Sequence, residues 1–174
     1  MSHVPFKSAL IAGLLVAGAA ASAQGAPSSV DKTFVTKAAV GGMAEVELGK
    51  LAQQKAASDQ VKQFGSHMVD DHTKANDELK QIAGAKNVAL PTSLDAKHQA
   101  VMTKLQKLSG ASFDRAYMAE MQKDHKEDIA LFEKESRSGS DADVKGFATK
   151  TLPTLKDHMK MVQDTVASMK TASR

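Results

Sequence analysis

What most constrains this chain is an apolar stripe that returns every three or four residues in four separate segments, each too long to be a β-strand. The first stripe is Phe34, Ala38, Gly41, Glu45, Leu48 and Ala52, entered through Ser28-Ser29-Val30-Asp31, which has capping-box spacing, and running to Ser58. A second starts at Ser58 or Asp59 and carries Val61, Phe64, Met68, His72, Ala75, Leu79 and Ile82 to a stop near Gly84. Only a tight turn separates these two, so they should be antiparallel neighbours. A third runs from about Ser112 to Arg137 with Phe113, Tyr117, Met121, His125, Asp128 and Phe132 on one side. The fourth is capped by Ser140-Asp141-Ala142-Asp143 and carries Val144, Phe147, Ala148, Leu152, Leu155, His158, Met159, Val162, Val166 and Met169. Pro153 lies inside it and is expected to kink the helix or to mark its true start. Between the second and third segments, Thr92-Ser93-Leu94-Asp95 opens a shorter helix expected over 93–108. The fold class is therefore all-α, an up-down-up-down four-helix bundle with an additional short helix between helices 2 and 3.

Composition removes the main rivals. Aromatic residues at 4% argue against a sandwich or barrel. The absence of cysteine excludes disulfides, thiolate zinc sites, iron–sulfur clusters, c-type haem attachment and thiol catalysis. Lys7 precedes a short apolar run from Ala9 to Ala21, and Ala21-Ser22-Ala23 offers small residues for a signal peptidase. Residues 1–23 thus read as a secretory signal, 24–30 as a linker and 31–170 as the bundle domain, in a periplasmic or secreted protein cleaved near Ala23. The apolar run is shorter than the roughly 20 residues that span a bilayer, so no transmembrane segment is expected. Removing 23 of the 174 residues leaves 151, and losing Lys7 takes the formal charge from +3 to +2. That small surplus, dispersed among acids, carries no nucleic-acid footprint. The nine methionines are scattered without an M-x-x-M cluster and read as packing residues. No P-loop, nucleophile elbow or dinucleotide fingerprint is present, which weighs against an enzyme.

Function is sought where polar residues interrupt the stripes. Glu45, His72, His125 and His158 each sit on or at the margin of one stripe. At about 1.5 Å per residue, Glu45, His72 and His125 all fall about 20 Å from the nearest end of their segments, with His158 about one turn lower. One carboxylate and three imidazoles should converge near mid-bundle. Asp128, three residues after His125, and Asp71, on the boundary of its stripe, are further oxygen donors. Burying such groups unpaired costs several kcal/mol, so the cluster must be satisfied by mutual hydrogen bonds or by a metal. Imidazole with carboxylate suits a single zinc, iron, copper or nickel ion. The competing reading is a metal-free structural network, as any one of these histidines alone would be. His67 with Asp71 forms an incidental surface pair, His98 has no acidic partner on its face, and Asp114 with Tyr117 is expected to hydrogen-bond near the bundle end.

Taken together, Gly41-Gly42-Met43-Ala44-Glu45-Val46-Glu47-Leu48-Gly49, Val61-Lys62-Gln63-Phe64-Gly65, Met68-Val69-Asp70-Asp71-His72, Phe113-Asp114-Arg115-Ala116-Tyr117 ahead of His125, and Leu152-Pro153 ahead of His158 resemble the exported bacterial domain of unknown function 4142 family over about 31–170. The resemblance implies a ferritin-like bundle and export, and a frequent label of outer-membrane protein, but no established activity. A ferritin-type di-iron site takes Glu-x-x-His from two helices. Here the second and fourth segments have Val69-Asp70-Asp71-His72 and Leu155-Lys156-Asp157-His158 instead, and only Glu45 matches as a core glutamate. The expectation is an exported bundle that binds one metal ion through Glu45, His72, His125 and His158, in metal handling or envelope stress and not as an enzyme. The alternative is a metal-free interaction or holdase-type protein that meets a protein partner on a helix face.

Overall fold

The computed structural model describes residues 26–172, so the signal segment expected over 1–23 lies outside the described residues. Among the described residues the elements are α1 (Ser29–Lys55), α2 (Asp59–Ala85), α3 (Ala96–Gln106), α4 (Gly110–Ser138) and α5 (Ala142–Ala172), with no strand. The fold is the expected all-α bundle. α1 packs chiefly on α2, α4 chiefly on α5, and the two hairpins close through α1–α4 and α2–α5 contacts, with α3 touching α1 and α4. No helix among these is long and apolar enough to cross a membrane.

The boundaries show which local signals prevailed. Both arms of the Ser28–Asp31 capping box form. Ser58 is the N-cap of α2 but makes no side-chain cap bond. Its backbone N–H and that of Ala57 are instead taken by the Asp114 carboxylate of α4, at 2.9 and 3.0 Å. Asp114 therefore serves the α1–α2 turn and not Tyr117, whose buried hydroxyl has no hydrogen-bond partner. α3 starts at Ala96, later than the expected Ser93, because Asp95 and not Thr92 caps it by accepting from the His98 N–H at 2.9 Å. Asp95 also meets the His98 ring at 2.6 Å, so His98 does have an acidic partner. Asp141 accepts from Asp143 and Val144 N–H groups and starts α5, which continues through Pro153 unbroken.

α1 and α2 approach so closely that their backbones nearly touch at Gly49 and Gly65. A Cβ on Gly49 would stand 2.6 Å from the Gly65 carbonyl oxygen, and one on Gly65 would stand 2.8 Å from that of Gly49. Glycine is required there by proximity, not by backbone conformation.

The core divides into two apolar clusters stacked along the bundle. One is built around Leu48, Phe64, Met68, Phe113, Tyr117, Met121 and Val162. The other holds Phe34, Leu79, Phe132, Phe147 and Leu155. Each long helix carries a buried ionisable residue between the two clusters, Glu45 on α1, His72 on α2, His125 on α4 and His158 on α5, with Asp124 beside His125 on α4. That layer is a plane of polar side chains sealed above and below by hydrocarbon.

Candidate metal centre

The helical period puts one polar side chain per helix on the inner face, and the hairpins bring all four to one level. Glu45 Oε2 lies 2.8 Å from His72 Nε2, and Glu45 Oε1 lies 3.2 Å from His125 Nδ1. His125 Nε2 lies 3.3 Å from His158 Nδ1, so the two rings meet despite the one-turn offset expected for His158. Side-chain reach absorbs it, since the rise of a single turn is about 5.4 Å and an imidazole can lean along the axis. The three imidazoles each offer a nitrogen within 4.8 Å of the others. The four residues are at most 6% exposed.

The proton positions follow from the outer partners. His125 Nδ1 faces two acceptors, the Met121 carbonyl at 3.0 Å and Glu45, so this nitrogen must carry hydrogen. His158 Nε2 faces Asp71 Oδ2 at 3.1 Å. Burial works against ionising Asp71, but the His158 hydrogen bond and Lys74 hold its carboxyl below the ordinary value, so it accepts and Nε2 donates. Burial holds His158 down at about 4, so near neutrality it carries one proton only. His158 Nδ1 is then a bare lone pair, directed at His125 Nε2. Unless a cation lies between them, either a second proton on His125 or a metal ion, two lone pairs oppose each other in a hydrocarbon-walled space.

Glu45 adds to this deficit. Burial raises its pKa, but the charges of His72 and His125 outweigh burial and bring it to about 2, leaving a carboxylate. Its oxygens are near imidazole nitrogens, yet neither they nor His72 Nε2 has a partner with hydrogen-bond geometry. Burial depresses His72 while the Glu45 carboxylate overcomes it, and the net shift is upward.

The remaining residues flank this layer. Asp71 stands behind His158, on the ring nitrogen opposite the one that faces His125. His67 is exposed and not paired with Asp71. Asp128 is half-buried on the wall of a cleft of about 600 Å³ between α1, α3 and α4, which Glu45 also borders. Burial and then the Glu45 charge drive the Asp128 carboxyl well above its usual range. Asp124, one turn earlier on α4, is raised by burial, with Glu120 and Glu45 adding to it and Lys97 opposing. Sequence reasoning passed over Asp124, although its position three residues after Met121 placed it on the stripe side. It also passed over a second buried acidic group at the closed end of the bundle, where Asp31, Glu135 and Asp141 meet.

The geometry defines a class of protein: a helical bundle whose four long helices each deliver an ionisable side chain to a shared, buried layer. The chain belongs to the family described as "Domain of unknown function (DUF4142)", which it matches over residues 16–165. Its fold is similar to that of the crystal structure of "putative secreted protein DUF305" from Streptomyces coelicolor, with a TM-score of 0.69 at 14% identity, covering 82% of this chain and 94% of that one. At that identity the likeness extends to the fold alone. No curated protein matches this sequence.

Proposed function

We propose that this protein is an exported metal-binding bundle that holds one transition-metal ion through His72, His125, His158 and Glu45. The observation that carries the reading is the approach of His125 Nε2 and His158 Nδ1 to 3.3 Å, with the other nitrogen of each ring directed at an acceptor. Two nitrogens bound to one tetrahedral ion at about 2.0–2.1 Å sit roughly 3.3 Å from each other. Metal-binding histidines generally donate their second N–H to a carbonyl or carboxylate, and His125 and His158 have such partners in Met121 and Asp71. Asp71 thus orients His158, and Asp128 supplies a further oxygen from the cleft side. The donor set of imidazole and carboxylate fits zinc, iron, copper or nickel. Residues 1–23 deliver the chain to the periplasm or beyond, and 31–170 form the metal-holding domain. Its role is metal handling or protection of the envelope, without turnover.

Elemental analysis of untagged protein, alongside His72→Ala and His125→Ala, tests this. One ion per chain in the wild type, lost from both variants and on chelation, is the expected result. Metal content that is substoichiometric and unchanged in the variants would overturn it and leave the metal-free interaction protein as the reading.

A further inference from the structure

Two openings lead from solvent to the histidine layer, the smaller lined by two lysines and two acidic residues and the larger by five acidic residues and two lysines, Lys37 and Lys97. The smaller, about 240 Å³ between α2 and α5, is bordered by Lys74 and Lys150, whose ammonium groups pair with Asp71 at 3.5 Å and Glu78 at 2.7 Å. The larger, of about 600 Å³, lies between α1, α3 and α4. Its acidic side chains run from exposed Glu127 at the rim through Asp124 and Asp128 to Glu45 at the floor.

We propose that the larger cleft is the loading port through which a hydrated divalent cation reaches the histidines, with Asp124 and Glu127 as its outer carboxylates and Lys97 as a counter-ion that the cation displaces. This rests on the metal reading above. Lys97 Nζ spans Glu127 at 2.7 Å and Asp124 at 3.4 Å, which marks the position where the cleft already stabilises a positive charge. Glu45, 2% exposed, borders both the cleft and the histidine layer, and its oxygens lack partners with hydrogen-bond geometry. An incoming cation therefore meets, at the end of the cleft, a carboxylate whose near neighbours are the His72 and His125 rings. Six waters around an ion occupy roughly 200 Å³, so the larger cleft admits a cation with its shell intact. The smaller opening, whose two lysines balance its two acidic residues, offers the ion no net negative charge. A low-dielectric cleft with an excess of one sign of charge concentrates counter-ions and raises association rates, and acidic residues outnumber lysines five to two around the larger cleft.

The test is stopped-flow uptake of cobalt(II) by metal-stripped full-length protein, followed by visible absorption. Asp124→Asn with Glu127→Gln should slow uptake about tenfold at low ionic strength, leave the equilibrium affinity within about twofold, and match wild type at about 1 M salt. Lys37→Glu, an exposed change at the cleft rim, should speed uptake about threefold, whereas Lys150→Gln at the other opening should leave it unchanged. If the double variant does not fold, the two lysine variants decide. Unaltered uptake in Lys37→Glu, or an equal acceleration in Lys150→Gln, overturns the port while wild-type binding keeps the metal centre standing. Failure of the wild type to bind cobalt(II) at equilibrium overturns both.

Discussion

Asp31 and Glu45 are both buried carboxylates on the inner face of α1, and they sit about 21 Å apart along its axis. Their surroundings could hardly differ more. Asp31 accepts from the Ser28 and Ser140 backbone N–H groups at 2.8 and 2.9 Å, from both serine hydroxyls, and from the Asp141 N–H at 3.3 Å. These bonds tie the start of α1 to the α4–α5 turn. Glu45 has imidazole nitrogens close by and no hydrogen-bond geometry with any of them. A satisfied buried charge is an architectural device, and an unsatisfied one calls for something to be supplied.

The largest effect expected is at the satisfied end. Asp31→Ala removes one arm of the α1 capping box, the tie to the α4–α5 turn and the acceptor of the buried Asp141 N–H, and denaturant melts should register a loss of about 3 kcal/mol. Almost as large is the gain that a ligand brings to the unsatisfied layer. A metal at one hundred times its Kd should stabilise the wild type by about 2.7 kcal/mol, and His125→Ala not at all, as read by thermal melts with and without the ion. If the metal raises both proteins equally, the contrast between the two carboxylates collapses.

A smaller effect comes from Glu135, beside Asp31. Burial, a hydrogen bond to Asp31 and the charges of Asp31 and Asp141 hold its carboxyl at about 7, against an ordinary value of 4.5. Because the unfolded chain gives up this proton first, Glu135 contributes stability below about pH 4.5 that is lost as the pH rises to 7. Asp31 runs the other way: its carboxyl is held far below 3.8, so its contribution is present above that pH and lost on acidification. Glu135→Gln should flatten the decline between pH 4.5 and 7 in a series of melts and leave the acid limb in place. The smallest effect is Glu45→Gln in metal-free protein, within about 1 kcal/mol of wild type, because His72 can shed its proton whereas the donors around Asp31 cannot be withdrawn. A loss as large as that of Asp31→Ala would show that Glu45 is structural after all.

Much of this was written in the order of residues. The stripes through Phe34, Phe64, Phe113 and Phe147 determine four helices, their buried faces and the short links that make neighbours antiparallel. The same periodicity singles out Glu45, His72, His125 and His158 as polar residues on apolar faces. These are properties of one helix at a time, set by 3.6 residues per turn. The start of α3 was misplaced because Thr92 and Asp95 both have capping chemistry, and only the three-dimensional path of the loop selects between them. Asp114 was assigned to Tyr117, its neighbour along α4, when its partners are 56 and 57 residues away in the α1–α2 turn.

By itself, then, the sequence determined the helices, their order and which side chains enter the core, since these depend on local period and capping. Tertiary structure alone decided how those side chains face one another. It brought the facing nitrogens of His125 and His158 to 3.3 Å, set Asp71 behind His158, gathered Asp31, Glu135 and Asp141 at one end, and opened the cleft beside Glu45 in which acidic side chains predominate. Hydrogen-bond direction and mutual repulsion depend on distances of a few ångströms between different helices, and no spacing along a single helix encodes them.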